Sequence, residues 1–160
     1  MQKLIGYVYK ISRGLNLIAA LMLASMILLT VTDVILRIAK TPIVGTYEIV
    51  GLLSAALIGF SIPFTSCIRG HIRVDFFLML LPPDARRIAN ITVKCLGIGL
   101  FLLIGWNIIL FGIDLAQAGE VTPTRHIPFY PVLYGIGASC FFECIVLLCD
   151  IAKIFRRNYE

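Results

Sequence analysis

The sequence predicts an all-α integral membrane protein, with four transmembrane helices and a short interfacial helix between the second and the third. Three observations predict it. Hydrophobic residues make up 59% of the 160 residues and charged residues 14%, where a soluble domain carries roughly 25% charged, and the mean hydropathy is +0.95. Apolar runs of about 20 residues, the length that crosses a ~30 Å hydrocarbon core, recur four times. Basic residues stand in short clusters beside those runs, an arrangement that orients a chain in a membrane. Four spans with short loops use the whole length, so residues 1–160 read as one membrane domain. The chemistry is therefore expected in or at the bilayer. The net charge of +5 is spread over these clusters, so nucleic acid is not an expected partner.

Lys3, Lys10 and Arg13 precede the first apolar run, whose span is placed at about 15–36. A secretory signal has an apolar region of only about 7–15 residues and a small-residue cleavage site; this run is longer and closes on Asp33 and Arg37, so it is expected to remain as an anchor. Asp33 and Arg37 are four apart and share a helix face, where an acid preceding a base can pair. Pro42 and Gly45 mark a turn, with Thr46 as the expected cap of a second span at about 47–67. Gly51, Ala55 and Gly59 recur every four residues there, a strip of small side chains where another helix can come close. Pro63 is expected to kink the span.

The stretch Arg69-Gly70-His71-Ile72-Arg73-Val74-Asp75 divides the chain in two. The run at about 72–81 is too short to cross the bilayer and is expected at its surface. Pro82 and Pro83 stop it, and Asp84 is the expected cap of a helix from Ala85 to about residue 115, with its span at about 87–113. Arg86, Arg87 and Lys94 are expected to face headgroups, Lys94 by snorkelling. A nearly neutral connection with Glu120, Arg125 and His126 leads to the last span at about 131–151, which Lys153, Arg156 and Arg157 follow. Because the basic clusters at both ends and in the middle fall on one side, both termini are expected in the cytoplasm.

The intramembrane polar residues decide which activities are open. Glu143, in the fourth span, is the one carboxylate expected deep in the membrane, where it needs a partner or a proton. Asn16, Asn107, Thr30, Ser54, Ser61 and Ser139 are expected in interhelical hydrogen bonds. His71 and His126 lie in connections on opposite sides, which disfavours haem. Cys67, Cys95, Cys140, Cys144 and Cys149 make no C-x-x-C and read as small apolar residues, so neither a metal nor a cofactor is expected. No phosphate loop or catalytic triad is present, and no enzyme is expected. Two readings remain from the residues: an autonomous small homo-oligomeric carrier working through Glu143, or a non-catalytic subunit of a larger membrane complex.

Three motifs, in order, favour the second. Arg37 with Pro42, Gly45, Thr46, Tyr47 and Glu48 is one; Gly70-His71-Ile72-Arg73-Val74-Asp75 followed by Leu81-Pro82 is another; Thr124 with Ile127-Pro128 and Tyr134 is the third. Their order and spacing resemble the small membrane (Q, DctQ-like) subunit of tripartite ATP-independent periplasmic (TRAP) transporters over nearly the whole chain. The resemblance implies a multi-pass protein of a bacterial or archaeal cytoplasmic (inner) membrane. It implies two partners, a large twelve-helix membrane subunit that moves as an elevator and a periplasmic substrate-binding protein, in sodium-coupled uptake of an organic acid. This chain is then expected to brace the stationary scaffold and help dock the binding protein.

Residue roles follow from the locations. Arg37 and Glu48 are expected to pair and hold the first two helices together, with Gly51, Ala55, Gly59 and Glu143 as subunit contacts. His71, Arg73 and Asp75 are expected at the surface against lipid. Lys40, Tyr47, Glu120, Arg125 and His126 are the expected docking contacts, and no substrate ligand is expected in this chain.

Overall fold

Apolar side chains surround the helices instead of forming one stripe, and a helix that is hydrophobic all round needs lipid or protein on every side. The computed structural model describes residues 2–68 and 83–156. Its helices are α1 (Gln2–Ile38), α2 (Thr46–Cys67), α3 (Pro83–Ala118) and α4 (Tyr130–Arg156). Each contains a stretch long and apolar enough to span: Gly6–Ile38, Thr46–Cys67, Ile88–Ala118 and Tyr130–Ala152. Leu17, Leu28 and Ile35 on α1, and Leu96, Leu103 and Trp106 on α3, are all more than half exposed, which suits hydrocarbon and would be a liability in water. The 37 residues of α1 and 36 of α3 reach roughly 55 Å at ~1.5 Å per residue, so both tilt or run past a ~30 Å core.

The helix expected at about 72–81 lies outside the described residues, and with it His71, Arg73 and Asp75. Two capping expectations are corrected. Gly45, in the left-handed region at φ 85, occupies the N-cap of α2 without a side-chain cap, and Thr46 is already helical, its hydroxyl donating back to the Ile43 carbonyl at 2.9 Å. The third helix starts at Pro83, where a fixed φ and a missing N–H suit the first turn, so Asp84 falls inside it.

The main helix contacts run α1 with α2, α2 with α4, and α4 with α3. Among the described residues the helices therefore stand in the order α1, α2, α4, α3, with α2 and α4 central. The α2–α4 pair is parallel and in step: Gly59 packs on Ile136, and its carbonyl accepts the Ser139 hydroxyl at 2.6 Å, while Ser66 reaches Glu143 further along both helices. The α3–α4 pair is antiparallel, with Gly112 against Tyr134, Gly105 against Cys140 and Gly97 against Leu147. A Cβ on Gly137 would come within 2.7 Å of Ile109 Cγ1; without it the backbones approach closely, which is what packs helices in lipid.

Several polar side chains expected to bridge helices stay on their own. Thr30 donates to the Met26 carbonyl at 2.8 Å, Asn107 to Leu103 at 2.8 Å and Ser61 to Ile58 at 3.0 Å. A carbonyl about one turn back is always within reach and satisfies the group without a neighbour. Ser54 and Ser139 do cross, to Met26 Sδ and to the Gly59 carbonyl.

Candidate functional site

Functional side chains collect at two ends of the helix row. At one end the connections 39–45 and 119–129 meet. Asp33, only 4% exposed, accepts Arg37 Nε at 2.8 Å and the Ile43 N–H at 2.9 Å, so one carboxylate fixes both the end of α1 and the turn after it. The Arg37 guanidinium also lies 5.4 Å from the Tyr47 ring centroid, a cation–π contact across the turn. The expected Arg37–Glu48 pair is not formed. Asp33 is one turn back on the same helix as Arg37 and reaches it first, leaving Glu48 to a different partner.

That partner is the α3–α4 connection. Glu48 Oε1 accepts the Thr124 N–H at 2.8 Å and Oε2 the Arg125 N–H at 3.1 Å. Arg125 Nε then donates to the Val44 carbonyl at 2.8 Å. The connection is held in shape internally by Thr122: its N–H donates to the Ile127 carbonyl, its carbonyl accepts the His126 N–H, and its hydroxyl accepts the Ile127 N–H, each at 3.0 Å. Gly45 lies beneath this clasp, where a Cβ would sit 2.6 Å from Arg125 Cγ. Lys40 and His126 are exposed at φ 60 and φ 54, a backbone region that non-glycine residues seldom adopt. Glu120 is also exposed and closes the end of α3 through its N–H to the Leu115 carbonyl at 3.1 Å. The five residues expected to dock a partner thus share this end, with Arg125 and Tyr47 also part of its bracing.

Below the clasp an apolar groove of about 510 Å³ opens between α2 and α3, with α4 as its floor. Gly51, Leu52 and Ala55 form one wall, Ile108 and Phe111 the other, and Val132, Leu133 and Ile136 the floor. The small-residue strip is therefore divided. Gly59 is buried against Ile136, whereas nothing among the described residues lies within 4 Å of a Cβ on Gly51, and Ala55 is exposed.

At the opposite end polar groups bind the four helices in pairs. Ser12 Oγ of α1 lies 3.3 Å from Cys67 Sγ of α2, Ser66 Oγ donates to Glu143 Oε1 at 2.5 Å, and Lys94 of α3 pairs with Asp150 of α4. Lys94 does not snorkel to headgroups as expected: its side chain is 12% exposed and turns inward to Asp150, because a lysine stem this far along the helix meets a carboxylate on α4 before it meets water. Asp150, Ser66 and Thr122 are the residues that sequence reasoning passed over. Asp150 was detectable, standing about two turns after Glu143 on the same face.

An all-helical chain with four apolar helices, polar groups used for packing and an open groove is a multi-pass membrane component, and among the described residues no cluster of histidine, cysteine and carboxylate could hold a metal. The family model described as "Tripartite ATP-independent periplasmic transporters, DctQ component" matches residues 26–157. The chain belongs to this family, the small membrane subunits of TRAP transporters, which work with a large membrane subunit and a substrate-binding protein and are not an enzyme family. Neither the curated proteins nor the solved structures contain a match.

Proposed function

We propose that this TRAP small permease subunit braces the stationary scaffold of the large, twelve-helix elevator subunit and presents its clasped end to the periplasmic binding protein, during sodium-coupled uptake of an organic acid. The observation that carries this reading is the Glu48 clasp. It ties the two connections at one end into a single platform, on which Lys40, Tyr47, Glu120, Arg125 and His126 are displayed. A platform fixed before contact loses less conformational freedom on binding than loose loops. Gly51 and Ala55 in the open groove support a contact with the large subunit, as small residues permit close helix approach. His71, Arg73 and Asp75 are assigned to the cytoplasmic surface and lipid, and the membrane to the bacterial or archaeal inner membrane.

The alternative, an autonomous carrier working through Glu143, is disfavoured by burial. Glu143 has no exposed surface and is absent from the groove lining. The deciding experiment reconstitutes the chain alone, the large subunit alone, and both together, each with the binding protein, and follows uptake of candidate organic acids. Uptake is expected only with both subunits present. Uptake by this chain alone establishes the carrier reading instead.

A further inference from the structure

Glu143 is a strongly polar side chain that the clasp, the groove and the proposed docking end leave without a role. It is fully enclosed between α2 and α4, at 0% exposure. Oε1 accepts a hydrogen bond from Ser66, and Oε2 is buried with no hydrogen-bond partner among the described residues. An ionised carboxylate in such a place requires a cation or several donors. Lys94 of α3 is engaged by Asp150. The Ser139 hydroxyl is turned to the Gly59 carbonyl. Among the described residues, one turn before and next in sequence on α4, the ionisable neighbours are the thiols of Cys140 and Cys144, and Cys144 Sγ points to the Ile98 carbonyl of α3. Asp150, about two turns on, adds a carboxylate and no compensating charge.

We propose that Glu143 is carried in the folded protein as the neutral carboxylic acid, a hydrogen-bonded pin between α2 and α4. The proton rests on Oε2, the oxygen toward which no donor of the described residues points, and Oε1 remains the acceptor for Ser66. A neutral acid offers a coupling cation no charge, and one of its two oxygens is already used. The pin therefore does the mechanical work of joining the central helices and is not a site of ion coupling. This inference stands on the α2–α4 geometry and does not depend on the scaffold or docking roles.

Infrared spectroscopy of the purified subunit, with all glutamates ¹³C-labelled at the side-chain carboxyl, tests it directly. The chain has four glutamates, Glu48, Glu120, Glu143 and Glu160, and an ordinary glutamate, with a pKa of about 4.3, is ionised across about pH 6 to 9. The expected result is a labelled carboxylic-acid carbonyl band throughout that range, lost in Glu143→Gln and unmoved by added sodium chloride. Absence of the acid band from the wild-type spectrum overturns the proposal, as does its conversion to carboxylate when sodium is added. Should Glu143→Gln fail to fold, the second variant Ser66→Ala replaces it: a shift of the acid band to higher frequency on loss of the hydrogen bond supports the assignment, and an unshifted band overturns it.

Discussion

Glu48, in the first turn of α2, receives the backbone N–H of Arg125, and Arg125 returns a bond through Nε to the Val44 carbonyl just before that helix. Two residues 77 apart in sequence thus join the connections of both helical hairpins. The carboxylate suits its place, since the N-terminus of a helix carries unsatisfied N–H groups and a positive dipole end.

Glu48→Ala removes the acceptor of two N–H groups and frees the 122–127 segment from α2. Faster hydrogen exchange at the Thr124 and Arg125 amides is expected, by several-fold, together with weaker binding of the substrate-binding protein to the assembled complex. Unchanged exchange at both amides would show that the clasp does not hold the loop.

The divided small-residue strip separates two kinds of packing. Gly59→Leu drives a side chain into Ile136, whose Cγ1 lies 2.9 Å from where a Cβ on Gly59 would stand, and overpacking of this sort costs about 1–3 kcal/mol. The isolated subunit is expected to melt at lower temperature. Ala55→Leu projects into the open groove, so the isolated subunit keeps its melting temperature while co-purification with the large subunit falls. A drop in the isolated subunit's stability for Ala55→Leu would mean that the groove is filled from within the chain.

Lys94 and Asp150 join α3 to α4 with both side chains largely shielded. A double-mutant cycle with Lys94→Met and Asp150→Asn is expected to give a favourable coupling of about 0.5–3 kcal/mol, the range for residues in direct contact. Thermal unfolding of the four proteins in one detergent measures it, and strictly additive losses would remove the pair as a stabilising contact.

Orientation follows from the placement of charge. The connections 39–45 and 119–129 are at one end of the row, and the basic clusters Lys3, Lys10 and Arg13, and Lys153, Arg156 and Arg157, belong to the termini. Reporter fusions at residues 42 and 122 are expected to read periplasmic, and fusions at the termini cytoplasmic. A cytoplasmic signal at residue 42 or 122 would break the four-span arrangement.

Sequence by itself determined the helical membrane class, the four apolar helices and the family, because these depend on local quantities: the length of an apolar run, the position of a proline or glycine, and the order of short motifs. The Asp33–Arg37 pair was legible for the same reason, as four residues along a helix set the distance. Tertiary structure alone decided what lies between helices. Arg37 and Glu48 both flank one turn, yet each found a nearer partner: Asp33 on the same helix for one, and the backbone of residues 124 and 125 for the other. Of the strip on α2, Gly59 meets a neighbour where Gly51 meets none among the described residues, while Gly97, Gly105 and Gly112 pack α3 against α4, a distinction that rests on which helix stands beside which. Lys94 illustrates the physical reason most plainly. A lysine near a membrane boundary can extend to headgroups or fold inward, and the choice depends on whether another helix brings a carboxylate within reach, as α4 brings Asp150.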